Sequence, residues 1–236
     1  MQSAAAAPPL SAPTVRLNLD AAELDDEPDD LTPLAHLLNL ACGAHAGDVT
    51  LATRALRRAQ QHRVPVGAHP SYPDREGFGR RAMDLSTHAL QETLRAQLSW
   101  LRDLAHDEGL GLSHVKPHGA LYHAATARPD IAECLCDVTA DTLGAVTLVG
   151  IGNGALHAAA RARGWLFLRE GFADRGYTPE GGLIPRGAPG DVLTDLDAVR
   201  AQVRRLVRAG DVDTVCVHGD GAHALPIARA VREALA

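Results

Sequence analysis

The sequence predicts an α/β protein built as a (β/α) barrel, complete or irregular. Three observations carry that expectation. Seven short β-branched or apolar runs recur along the chain, longer amphipathic segments stand between them, and polar residues collect at the C-terminal ends of almost all the runs. An open doubly wound sheet would gather its polar residues at one switch point beside a glycine-rich phosphate turn, and no such turn is evident. A ring of loops around one barrel mouth spreads them along the whole chain, as here.

The strand candidates are Val15 to Asp20, Leu37 to Ala41, Val64 to Ala68, Ser113 to Lys116, Ala145 to Gly150, Leu166 to Glu170 and Thr214 to His218. Helical stretches run from Val49 to Gln61, Thr87 to His106, Pro129 to Asp141, Gly154 to Arg163, Asp195 to Ala209 and Ala222 to Leu235. The second shows the helical period well, because Leu90, Leu94, Leu98 and Leu101 share one face while Glu92, Arg95 and Arg102 take the other. Those leucines are core candidates. Ser86, directly before this helix, is its expected N-cap.

At 236 residues the chain suffices for one domain of this architecture, and 46% hydrophobic against 22% charged residues is a folding composition. Pro8, Pro9 and Pro13 mark residues 1–13 as a flexible tail, with a single barrel domain over residues 14–236. A formal net charge of -6 gives no general attraction to nucleic acid. No apolar run has the length of a membrane span, and the alanine-rich start lacks a basic leader region. Cys42, Cys134, Cys136 and Cys216 lack metal-ribbon spacing and are expected as reduced thiols, which fits a cytoplasmic location.

Read in order, the strand ends offer Asn18 and Asp20, Asn39 and His45, His69, Lys116 and His118, Glu170 and Asp174, and His218 and Asp220. Imidazoles and carboxylates meeting in one mouth suit general acid/base chemistry or a divalent metal ion. A lone histidine after a strand is more often structural, so the set is what points to a site. Small neighbours in ACGAHAGD, GAHPSYPD, KPHGALY and HGDGAHA let the backbone approach a ligand. Arg80, Arg81, Arg175 and Arg186 are candidates to grip carboxylate or phosphate.

The strings NLACGAHAGD (Asn39 to Asp48), GAHPSYPDREGFGRR (Gly67 to Arg81), VKPHGALY (Val115 to Tyr122), EGFADRGYTPEGGLIPR (Glu170 to Arg186) and CVHGD (Cys216 to Asp220) closely resemble the LamB/YcsF family. The match holds in order over nearly the whole chain from Asn18. It implies a barrel akin to the glycoside hydrolase and deacetylase superfamily. It also implies the role of the A subunit of ATP-dependent 5-oxoprolinase, which with the B and C subunits opens the 5-oxoproline lactam to glutamate. ATP then acts through the complex.

By that pattern Asp20, His45, His69, Lys116, His118, Glu170, Asp174, Arg175, His218 and Asp220 are site candidates. We expect Asp20, His45, Lys116, His118 and Glu170 in catalysis. Asn18, Asn39, His69, Arg80, Asp174, Arg175, His218 and Asp220 are expected at the substrate, with Asp20, His45 and His118 as the candidate divalent-metal ligands. The family pattern opens with NCDLGE. Here Leu19 replaces its cysteine and Ala22 its glycine, Glu23 survives, and the following loop, Leu24 to Leu38, is shorter and acidic. His123 stands where asparagine is more usual after KPHGALY. The chain has no GxxxxGK[ST] phosphate loop, so nucleotide contact falls to other groups. Two further readings are a stand-alone metal-dependent amide hydrolase or deacetylase, distinguished by ATP independence, and a non-catalytic binding subunit, distinguished by binding without turnover.

Overall fold

The computed structural model describes residues 15–236 apart from residue 222. The expected tail over residues 1–13 lies outside the described residues. Seven strands close a parallel barrel in sequence order: β1 (Arg16–Ala21), β2 (Leu37–Ala41), β3 (Val66–His69), β4 (Leu112–Val115), β5 (Thr147–Gly150), β6 (Phe167–Phe172) and β7 (Thr214–His218). Strand β7 pairs back onto β1, placing Asp20 beside His218 across that seam and beside Asn39 on the other side. All seven expected strands form, with ends shifted by up to two residues.

The helices are α1 (Val49–His62), α2 (Thr87–Asp107), α3 (Gly119–Ala127), α4 (Pro129–Leu143), α5 (Ala155–Ala162), α6 (Leu196–Ala209) and α7 (Ala224–Leu235). The barrel is irregular in two respects. Between β1 and β2 there is a 3-10 helix, Asp29–Leu34, in place of an α-helix, and between β4 and β5 there are two helices, α3 and α4. Helix α3 is not among the expected helices, because it is short and starts with Gly119 inside a motif that reads as a loop.

Alternation along the strands sets the two faces of the barrel wall. Leu17, Leu19, Leu38, Leu40, Val66, Ala68, Val115, Leu148, Val215 and Val217 pack in the main apolar core with the buried faces of the helices. The alternate positions, Asn18, Asp20, Asn39, His69, His114, Thr214 and Cys216, are buried too. A β carbon at Gly67 would lie 2.4 Å from the His114 ring, so glycine at 67 makes the room that this imidazole occupies. On α2, Leu90, Leu94, Leu98 and Leu101 are buried, and the Ser86 side chain accepts from the Ala89 amide as N-cap. The four cysteines are unpaired and buried, Cys134 and Cys136 within α4.

Candidate active site

Polar side chains inside the barrel form one connected set. Asn18 Nδ2 donates to Thr214 Oγ1 at 2.8 Å, and Asn39 Nδ2 donates to Asn18 Oδ1 and Asp20 Oδ1, each at 2.8 Å. Because the Asn39 amide nitrogen is committed to these acceptors, its Oδ1 must accept from His114 Nε2 at 2.9 Å. His114 Nδ1 then faces the Ser113 hydroxyl at 2.9 Å, whose single proton it shares with the Val66 carbonyl. Burial, followed by the Lys116 charge, pushes the His114 pKa down to about 3, so the ring is neutral. Asn18 and Asn39, expected at the substrate, are both fully buried and lie outside the pocket wall.

Lys116 follows β4 and is 2% exposed. Its ammonium lies 2.7 Å from Asp20 Oδ1, 2.9 Å from Glu170 Oε1, 3.2 Å from Asn18 Oδ1 and 3.1 Å from Cys216 Sγ. The approach to Glu170 is off the hydrogen-bonding direction, so that contact is chiefly charge to charge. Tyr122 on α3 donates to the other Glu170 oxygen at 2.8 Å. Burial works against the Lys116 charge, but Asp20 and Glu170 outweigh it and raise its pKa well above the usual value. Burial likewise opposes ionisation of Asp20, and His69 and Lys116 overcome it, holding the carboxyl well below its ordinary range. Cys216 and Tyr122 are not among the residues that the sequence singles out. Cys216 lies inside a strand candidate and Tyr122 in a motif that reads as a loop, and only the folded barrel brings Cys216 to Lys116 and Tyr122 to Glu170.

A second group surrounds Glu23, which follows the end of β1. The turn holding it depends on Glu27 in the acidic loop, whose carboxylate accepts from the backbone amides of Ala22, Glu23 and Leu24 at 2.7–3.0 Å. Ala22 is left-handed there, with φ 60°. Glu23 Oε1 lies 3.1 Å from His45 Nε2, 3.5 Å from His118 Nδ1 and 4.0 Å from His69 Nε2. The rings of His45 and His118 stack at 3.9 Å. His118 is placed by Gly119, whose φ of 53° and whose close approach to the Gly79 carbonyl exclude a β carbon. Burial pushes the pKa values of His45 and His118 well down and that of Glu23 well up. The expected trio therefore divides: His45 and His118 sit with Glu23 and His69, whereas Asp20 sits with Lys116, Cys216 and His218.

His218 ends β7, and Asp174 follows β6. Asp174 Oδ2 accepts from the His218 amide at 3.0 Å and lies 2.9 Å from its ring Nδ1, which leaves Nε2 3.9 Å from Asp20 Oδ2. Burial favours the neutral ring, but Asp174 and Asp20 outweigh it and raise the His218 pKa. The pocket above has a volume of about 470 Å³, and Asp20, His69, Lys116, His118, Tyr122 and His218 are in its wall. Arg80, His123, Arg175 and Arg186 also line it. Arg80 pairs with Asp220 at 2.8 Å. Arg175 donates to the carbonyls of Asp191 and Ile184, tying down the excursion between β6 and α6. Arg81 is at the surface, pairing with Asp74 and Glu76.

A family model described as the LamB/YcsF family matches residues 19–236. The chain belongs to the LamB/YcsF family. It is 40% identical over 234 residues to the 5-oxoprolinase A subunit of Neisseria meningitidis serogroup A, covering 94% of this chain and 95% of that one. The crystal structure of the lactam utilization protein from Thermus thermophilus superposes with a TM-score of 0.84 at 36% identity, over 94% of this chain and 96% of that one. A glycoside hydrolase family 20 β-N-acetylglucosaminidase shares the fold alone, with a TM-score of 0.53 at 12% identity, over 94% and 69% of the two chains. No helix among the described residues is long and apolar enough to cross a membrane.

Proposed function

We propose that this chain is the A subunit of an ATP-dependent 5-oxoprolinase, opening the 5-oxoproline lactam to glutamate together with the B and C subunits. The observation that carries this is the 40% identity to a 5-oxoprolinase A subunit over nearly the full length of both chains. The pocket chemistry supports it. A lactam is a poor electrophile, and ATP supplies the activation of its carbonyl within the complex. The chain's own task is to bind the small acid, hold it against fixed charges and move protons during ring opening.

Arg80 and Arg186 at the pocket wall suit the substrate carboxylate. Asp20 is the ionised carboxylate at the reacting end, held by Asn39 and Lys116. His218, oriented by Asp174, is the group best placed to carry a proton to or from that end. Lys116 and Glu170 provide a paired, buried field beneath it. On this reading Asn18 and Asn39 position catalytic groups and do not touch substrate.

The test is reconstitution. Glutamate should form from 5-oxoproline only when this chain, the B and C subunits, and ATP are all present. His118→Ala should lower turnover by about a hundredfold or more in the complex, with folded yield little changed. Robust ATP-independent hydrolysis by the isolated chain would instead favour the metal-dependent amide hydrolase, a reading that the Glu23 and histidine cluster keeps in play.

A further inference from the structure

We infer that Glu23, His45, His69 and His118 together hold one divalent transition-metal ion, of the zinc class, beside the pocket. The site goes beyond the oxoprolinase reading and does not depend on it. The histidine tautomers point to it first. His69 Nδ1 lies 2.7 Å from the Lys116 carbonyl, and His118 Nε2 lies 2.9 Å from the Phe78 carbonyl. A carbonyl only accepts, so each of these nitrogens carries the proton. His69 Nε2 and His118 Nδ1 are the nitrogens left to face inward, 3.0 Å from each other, with Asp20 Oδ2 3.4 Å from the former.

Two inward-facing ring nitrogens at that distance need a proton or a metal cation between or beside them. Glu23 Oε1, a third acceptor, lies 3.5 Å from one of these nitrogens and 4.0 Å from the other, and His45 Nε2 approaches the same oxygen at 3.1 Å. All four side chains are buried, so bulk solvent compensates the set little. A proton can bridge only one pair, whereas four donor atoms lie within 4.8 Å of one another. Zinc–nitrogen bonds of about 2.0–2.1 Å in a tetrahedron put ligand atoms about 3.3 Å apart, close to the separations found here. Backbone carbonyls grip the outer nitrogens of His69 and His118, a usual way in which a metal site fixes imidazole orientation.

The neighbouring set of Asp20, Cys216 and His218 does not call for a second ion. The Lys116 ammonium already sits 2.7 Å from Asp20 and 3.1 Å from Cys216, supplying the positive charge there. Three imidazoles and a carboxylate suit zinc, cobalt, iron or manganese in preference to calcium or magnesium, whose ligands are oxygen.

The untagged chain, stripped with chelator and titrated with Co²⁺, should bind one equivalent with the visible bands of a tetrahedral nitrogen and oxygen site, and Zn²⁺ should displace it. Glu23→Gln and His45→Ala should each weaken binding by about a hundredfold or more. X-ray absorption of the cobalt-loaded wild type, which does not depend on any variant folding, should show nitrogen and oxygen ligands without sulfur. The inference is overturned if the folded, stripped chain binds neither metal at micromolar concentration. It is also overturned by a sulfur ligand, which would move the ion to Cys216, or by affinity unchanged in both folded variants. None of these measurements uses ATP, the B and C subunits or turnover, so failure of the oxoprolinase reading would leave the result standing.

Discussion

Lys116 Nζ and Asp20 Oδ1 lie 2.7 Å apart inside the barrel, on side chains that are each 2% exposed. A charge buried this deeply is tolerated only when its partner is present. Lys116→Met should therefore destabilise the fold by about 3–5 kcal/mol, because Asp20 and Glu170 are left facing each other without compensation. Adding Asp20→Asn should recover part of that loss, since the two residues share one interaction. Urea denaturation of the two single variants and the double variant measures the coupling. Strictly additive losses would mean that the pair is not an energetic unit.

The neutral His114 makes stability depend on pH. Its folded pKa of about 3 lies below the ordinary 6.5, so the unfolded chain takes up a proton first as pH falls. The contribution is complete above about pH 6.5 and is lost progressively toward pH 3, at up to about 1.4 kcal/mol per pH unit. His45 and His118, also pushed down by burial, act in the same direction. His114→Gln should flatten the stability profile between about pH 5 and 6.5 by up to one proton's worth. An unchanged slope would show that His114 contributes nothing to the acid sensitivity.

The strands were legible as short β-branched or apolar runs between amphipathic segments, and the barrel turns residues such as Leu17, Leu19, Leu38 and Leu40 toward the helices. The convergence of Asp20, His69, Lys116 and His218 was legible as polar residues at the ends of separate strands. What sequence did not yield was partnership. Glu23 reads as one acid beside an acidic loop until the Glu27 carboxylate folds the turn that aims it at three histidines. Cys216 reads as strand packing until the β7 to β1 seam sets it against Lys116. Asn18 and Asn39 look like ligand contacts by position, and only the register places them beneath the pocket.

Ala22 adopts a left-handed φ of 60° where the family pattern has glycine. A left-handed L-residue costs about 1–2 kcal/mol, and glycine gives back about 0.5–1 kcal/mol in backbone entropy. Ala22→Gly should thus stabilise the fold slightly, by up to about 1 kcal/mol, seen as a small rise in Tm. Ala22 is also buried. A clear fall in Tm would mean that its methyl packing outweighs the strain, and that this chain has adapted the turn around alanine.

The Asp174 and His218 pair yields a prediction that separates positioning from mere packing. Asp174 accepts from both the His218 amide and its ring, and with Asp20 it keeps the ring pKa raised despite burial. Asp174→Asn preserves shape and one acceptor but removes the charge that raises the His218 pKa, so that pKa should fall. In the reconstituted complex, the limb of the kcat/KM profile that His218 controls should move to lower pH. The plateau should also drop, since the ring is less firmly held in the tautomer that presents Nε2 toward Asp20. This holds whether His218 gives or takes the proton, because either limb follows its pKa. A lowered plateau with no displacement of either limb would make Asp174 a packing residue and take His218 out of the proton-transfer step.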